Sequence, residues 1–329
     1  MSVRRAAEFV ALAEATNIGP ETIDQLRDEV ARLANAYIRE PLADLIDDLI
    51  SLQDNVFTLL EGKQRPPYSR DLYLVAAAAS GLLAKASHDL ARPHEAIAQA
   101  RTMYVCAANA GHVPMQAWAR GQQSLTAYWA GRHDEAARRA ASGSALLAGH
   151  HAGSVAVWLP ALEARAHAQL NRPEHAHAAL RTAAEARDHV VPDDLDSVGG
   201  LFNFPLAKQR YYAAGAYVHL DGNNSEAVTE ASEALRLFEG GDYRSFADEA
   251  ASRAELALGH LHNGDLDGAK EVMADVLALE PNRRIRGLIV TVERLQPALR
   301  DPRFFASPVA RDLRQEIEAY CRAPAGGFK

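Results

Sequence analysis

The stretch Gly131-Arg132-His133-Asp134-Glu135-Ala136 decides the fold, because its pattern returns along the chain. It stands again in Ala91-Arg92-Pro93-His94-Glu95-Ala96 and in Asn171-Arg172-Pro173-Glu174-His175-Ala176. Gly222-Asn223-Asn224-Ser225-Glu226-Ala227 and Gly264-Asp265-Leu266-Asp267-Gly268-Ala269 complete the set. The closing alanines of the five copies are 40, 40, 51 and 42 residues apart. Similarity at a near-constant period is the mark of stacked repeats. The first residue of the motif is Gly in three copies and Asn in one, the two types that best tolerate a left-handed backbone. Seven residues earlier stands Ala84, Ser124, Ala164, Gly215 or Ala257, all small, as close helix–helix contact requires. Apolar residues at helical spacing flank each turn, such as Leu82, Leu83, Ala86 and Leu90 before the first and Ala96, Ile97 and Ala100 after it. Each unit therefore predicts a helix, a tight turn and a second helix.

Composition agrees. Of 329 residues, 48% are hydrophobic but only 7% aromatic, so the apolar content is largely small residues that suit closely packed helices rather than strands. The chain is long enough to bury a full core. Two cysteines, Cys106 and Cys321, cannot build a disulfide scaffold and read as reduced thiols of a cytoplasmic protein. No apolar run approaches the ~20 residues of a membrane span. Glu8 interrupts the N-terminal segment where a signal peptide would be apolar. A net charge of −8 argues against a strong nucleic-acid binder.

The acidity is concentrated at the start, where residues 1–60 hold 5 Lys/Arg against 11 Asp/Glu. There Pro20 predicts a helix start, with Ile23, Leu26, Val30 and Leu33 on one face. Pro41 opens the next predicted helix, whose stripe runs through Leu42, Leu45, Ile46, Leu49, Leu52, Val56, Leu59 and Leu60. Gly62 and the run Lys63-Gln64-Arg65-Pro66-Pro67 break it and mark a boundary. The expected organisation is acidic helices over 1–62, serving as a cap or dimer contact, five repeats over 68–282, and capping helices and a tail over 283–329. Pro308–Cys321 is the expected capping helix. The long 51-residue interval holds Val191–Gly200, which reads as a loop insertion.

The five units resemble the tetratricopeptide repeat, with small residue, turn glycine and alanine at matching offsets, although its unit is shorter, ~34 residues. That resemblance implies an all-α, right-handed superhelical solenoid of helical hairpins. A narrower resemblance rests on Ala6-Ala7-Glu8-Phe9-Val10, the acidic helices and Arg70-Asp71-Leu72-Tyr73-Leu74. It also rests on Ala127-Tyr128-Trp129-Ala130-Gly131 and Ala207-Lys208-Gln209-Arg210-Tyr211-Tyr212. These segments are similar to the C-terminal helical-repeat region of actinobacterial Xre-type helix-turn-helix transcriptional regulators. In that family a DNA-binding domain precedes a region that dimerises and senses a signal. No basic helix-turn-helix segment stands before residue 20. The expectation is a truncated form or a stand-alone relative that works through partners, without direct DNA binding of its own.

Chemistry is sparse. No Gly-rich phosphate loop is present. His94-Glu95-Ala96-Ile97-Ala98 begins like a zinc-protease helix but has Ala98 where the second His is needed. The pairs His175/His177 and His260/His262 point ~200° apart on a helix and cannot share one ion. Asp44, Asp47, Asp48 and Asp54 lack the spacing of an all-α Mg²⁺-dependent cyclase and read as a solvated face. Cys106 reads as a core thiol. The run Arg283-Arg284-Ile285-Arg286, with Arg294, Arg300 and Arg303, reads as a solvated last repeat or a contact for a phosphate or acidic partner. No catalytic constellation, cofactor or metal site is expected.

In stacked hairpins the first helix of each unit lines the concave face. Six residues before the turns stand Lys85 and Arg165, and thirteen before stand Trp118, Trp158 and Gln209. With Gln122 and Tyr212 these form a candidate amphipathic groove for a peptide, a small-molecule effector or a partner protein. Aromatic side chains and Arg are the usual anchors of such a surface. The competing reading is core packing for the tryptophans and surface ion pairs for the cations. The expected function is thus a ligand- or peptide-binding regulatory module, dimeric and not enzymatic. A passive scaffold is the alternative, and an all-α enzyme the remote one.

Overall fold

In the computed structural model, which describes residue 5, residues 9–10 and residues 15–325, every regular element among the described residues is a helix. The motif Ala6-Ala7-Glu8 falls outside them. Helix α1 (Pro20–Tyr37) leads through a 3-10 turn (Leu42–Asp44) into α2 (Ile46–Leu60). Five hairpins follow. They are α3/α4 (Pro66–Asp89, Pro93–Asn109), α5/α6 (Val113–Trp129, His133–Leu146) and α7/α8 (Val155–Gln169, Pro173–His189). A short helix α9 (Asp194–Val198) precedes α10/α11 (Leu206–Tyr217, Asn224–Gly240) and α12/α13 (Phe246–His262, Leu266–Leu277). Then come α14 (Arg286–Glu293), α15 (Leu295–Ala298) and α16 (Pro308–Cys321).

The motif makes the turns. Ala91, Gly131, Asn171, Gly222 and Gly264 all have positive φ, between 52° and 83°. In four of the five, the next residue's N–H reaches back five positions to a helix carbonyl, as from Arg132 to Ala127 (2.9 Å) and from Asp265 to His260 (2.9 Å). This closes the last orphan carbonyls of the first helix. The fourth turn differs: α10 ends five residues before Gly222, and Asn223 bonds Leu220 instead. The motif alanines Ala96, Ala136, Ala176, Ala227 and Ala269 are all fully buried. The small residues seven before the turn are buried against them, and Ser124 Oγ donates to the Ala136 carbonyl at 2.8 Å.

The two helices of a hairpin differ in what they bury. Helix α7 buries residues on every side, whereas α8 buries only Ala176, Ala179 and Ala183. A helix apolar all round belongs inside and an amphipathic one at the surface. Accordingly the first helices pack on one another in sequence, α3 on α5, α5 on α7, α7 on α10 and α10 on α12.

The N-terminal helices are not set apart by the Pro66-Pro67 break. Pro66 opens α3 itself, and one continuous core runs from Ile23, Leu26, Val30 and Leu33 through Leu49 and Val56 to Leu72 and beyond. The second predicted helix starts later than Pro41, because Leu42–Asp44 forms a 3-10 turn before Ile46. Asp44, Asp47, Asp48 and Asp54 are exposed. Helix α16 covers Pro308–Cys321 and packs on α13 and α14.

The insertion is a plug rather than a loop. Asp193 caps α9 reciprocally with Asp196, and the same two carboxylates accept N–H groups of Gly153 (2.9 Å) and Ser154 (3.0 Å). Leu201, Phe202 and Phe204 behind it are buried, with Phe202 6.0 Å from Trp118.

Both thiols sit in cover. Cys106 is buried, burial pushes its pKa up, and the Cys321 thiol is pushed up to about 11, chiefly by burial. Thiolate is the reactive form. Both cysteines are therefore expected to resist a disulfide reagent at pH 8 and to react promptly in denaturant. Prompt labelling of the folded chain would contradict this burial.

Candidate ligand cavity

The first helices line a partly open cavity of about 80 Å³. Helix α3 contributes Lys85, His88 and Asp89; α5 contributes Trp118, Gln122, Leu125 and Trp129; α7 contributes Trp158 and Arg165. The plug adds Leu201 and Phe204, α10 adds Lys208, Tyr211 and Tyr212, and the start of α12 adds Asp248 and Ala251. Residues Tyr37–Leu42 run across from α1, and the Phe246 N–H donates to the Ile38 carbonyl at 3.3 Å. Together with Ile285, Gly287 and Leu288 they form the far wall. The wall facing the first helices thus comes from residues outside the five hairpins.

Six of the seven residues singled out in the sequence meet here: Lys85, Trp118, Gln122, Trp158, Arg165 and Tyr212. Gln209 does not. It accepts from Arg187 Nε (2.8 Å) and donates to the Ala183 carbonyl (3.2 Å), in a separate outer depression. The inward place in α10 belongs to its neighbour Lys208.

Trp118 and Trp158 stack with ring centroids 4.5 Å apart. They can do so because α5 has Gly121 under Trp158, where a Cβ would stand 2.3 Å from the indole. Neither indole N–H has a hydrogen-bond partner, although both are buried. The two rings belong to the core and also line the cavity.

Two of the three lining cations are paired with carboxylates. Lys85 is bonded to Asp89, which also accepts from the Tyr37 hydroxyl at 2.7 Å. Lys208 lies 3.7 Å from Asp248. Arg165 is 1% exposed, and its guanidinium carbon sits 4.7–5.4 Å from the ring centres of Tyr128, Trp129, Tyr211 and Tyr212. Such cation–π contacts gain strength when desolvated. Behind Arg165 lies Glu255, itself 1% exposed, with Arg294 Nη1 3.8 Å from its Oε1. Arg294 Nη2 also donates to the Tyr128 hydroxyl at 3.1 Å. Gly215 leaves room between Arg165 and Glu255; a Cβ there would stand 3.2 Å from both. Burial raises the Glu255 pKa against the pull of Arg294 and Arg165.

Of the basic run near the C-terminus, Arg294 turns inward, Arg284 stacks on Tyr320, and Arg303 binds Asp301. These residues therefore do not form one free surface patch. Sequence reasoning missed Glu255 and Arg294 as a buried pair. A carboxylate inside the Ala- and Leu-rich run 250–258 is the signal that marks Glu255. Arg294 has no repeat counterpart to mark it.

Two histidines are held neutral here. Burial lowers the His88 pKa to about 4, and burial with the field of Arg294 and Arg165 lowers that of His219 to about 3. In the unfolded chain they titrate near 6.5. The unfolded state then binds more protons between pH 6.5 and 4, so stability falls as pH drops through that window. At pH 5 each costs about 2 kcal/mol relative to pH 7. Glu255, with its raised pKa, acts in the opposite direction above its unfolded value and offsets part. Urea denaturation at pH 7 and pH 5 is expected to differ by about 2–4 kcal/mol. Equal stabilities would show that these histidines are not buried and neutral.

The sequence matches no protein-family model, and no curated protein is significantly similar to it. Among the described residues no helix is long and apolar enough to cross a membrane.

Proposed function

We propose that this chain is a ligand-binding regulatory module, a superhelix of five tetratricopeptide-like hairpins, that takes a small molecule into this cavity. The observation that carries this is the convergence of all five first helices on one cavity with unpartnered buried donors on Arg165, Trp118 and Trp158. A pocket of mixed apolar wall and few polar groups is the usual form of a small-molecule site. Residues 38–42 and 246 bridge the concave side, which favours a small molecule over a long peptide lying along it. The resemblance to the repeat region of Xre-type regulators supports a regulatory role. In that role the ligand acts by favouring one curvature of the stack over another. Apart from the adjacent Phe9 and Val10, the large exposed apolar residues among the described ones, Ile50, Val105, Val191, Leu206 and Phe305, stand on separate segments, which gives a scaffold reading little support.

The test is a thermal-shift screen of small metabolites on the full chain, repeated on Trp118→Phe and Gln122→Leu. A ligand that binds only the folded state raises the melting temperature by mass action. A shift that is weakened in both variants supports the cavity. Hits that both variants leave unchanged place binding elsewhere and count against it.

A further inference from the structure

We infer that the cavity's ligand is a small monocarboxylate with a short apolar body, its carboxylate received by Arg165. This rests on the reading of the cavity as a ligand site. The first ground is charge. Around the cavity Lys85 is matched by Asp89 and Lys208 by Asp248, while Arg165 and Arg294 share the one carboxylate of Glu255. Counting the exposed Glu40 at the rim, the lining carries no net charge, but Arg165 alone among the lining cations makes no ion pair with a carboxylate, and one carboxylate is its complement. A buried cation without a bonded carboxylate is costly, so an added carboxylate is favoured there.

The second ground is hydrogen bonding. Arg165 is 1% exposed, lines the cavity, and has no acceptor for Nε or Nη2. The four aromatic rings around it stabilise the charge through their faces but accept none of its in-plane N–H groups. The planar guanidinium fork matches a carboxylate in two parallel bonds. The indole N–H groups of Trp118 and Trp158 are further unpartnered donors on the same wall, suited to another oxygen of the ligand.

The third ground is size. The cavity's 80 Å³ is about half of the ~150 Å³ that holds a benzene. A group of about four to six heavy atoms fits wholly within it, and a longer body has to trail toward Glu40 and Phe246.

The experiment compares isobutyrate with its neutral isostere isobutyramide on the full-length chain, by saturation-transfer NMR and tryptophan fluorescence titration. Isobutyrate is expected to bind and isobutyramide to bind at least tenfold more weakly. Arg165→Lys keeps the charge but loses the fork, and is expected to weaken isobutyrate about tenfold while leaving the amide unchanged. Circular dichroism checks that the variant folds; should it not fold, the acid–amide pair on the native chain decides alone. Amide binding as tight as acid binding overturns the carboxylate inference and leaves the cavity reading standing. Binding of neither probe overturns both. Acid binding that survives Arg165→Lys unchanged overturns the role of Arg165.

Discussion

Replacing Glu255 by Leu is expected to lower stability by about 3–5 kcal/mol, the range for breaking a buried ion cluster by removing one partner. Glu255 is the one carboxylate shared by two buried guanidinium groups. Arg294 lies 3.8 Å from it, and Arg165 faces it across Gly215. Without it, two like charges remain in a medium that screens them poorly, and both resist deprotonation. The cation–π contacts of Arg165 and Arg294 with Tyr128 and Trp129 recover only a fraction of that cost. The double variant Glu255→Leu with Arg165→Met removes one cation along with the carboxylate and leaves Arg294, which is part-exposed and still donates to the Tyr128 hydroxyl. It is expected to regain more than half of the loss, since an apolar replacement of a whole buried ion pair is often near neutral. Urea denaturation of the two singles and the double completes the cycle. Additive losses would show that Arg165 and Glu255 do not act on each other.

The hairpins were legible because each turn needs a residue type that few other sites need. Five motif starts all adopt positive φ, and five motif alanines all sit at zero exposure where the partner helix crosses. The same periodicity carried the cavity as far as it held. Counting back from the turn places Lys85, Trp118, Trp158 and Arg165 on the inner wall, because those helices all end two residues before it. In α10 Gln209 turns outward to Arg187 while Lys208 faces in, although Tyr212, on the same helix, lines the cavity. What lies outside the repeat had no such ruler. The crossing of Tyr37–Leu42 over the cavity, the inward turn of Arg294 and the plug behind Val191 are tertiary facts. Each is settled by which distant surface the segment buries, as when Asn35 Nδ2 donates to the Val198 carbonyl at 2.9 Å. Local pattern reports that a segment is amphipathic or polar, and not which neighbour it will meet.

That meeting of plug and N-terminal helix gives the other large effect. Gly200→Ala is expected to cost about 3 kcal/mol or more, by strain and overpacking together. Gly200 has φ +53°, in the region that L side chains rarely enter, which alone costs about 1–2 kcal/mol. A Cβ there would also stand 2.1 Å from the Ala34 carbonyl oxygen and 2.6 Å from the Asn35 nitrogen, both backbone of α1. Helix backbone cannot swing aside as a side chain can, so the plug and α1 have to part. Leu201 and Phe204, which follow directly, line the cavity, and Phe202 packs against Trp118. The substitution should therefore loosen the cavity wall as well as the fold, and change the fluorescence of the tryptophan pair. Gly149→Ala is the control: it shares a φ of +76° but has open space where the Cβ would go. It should lose only the strain, about 1 kcal/mol, with tryptophan emission unchanged. Equal losses in the two variants would mean that contact with α1 adds nothing, and that the plug is held by its Asp193 and Asp196 bonds to Gly153 and Ser154 alone.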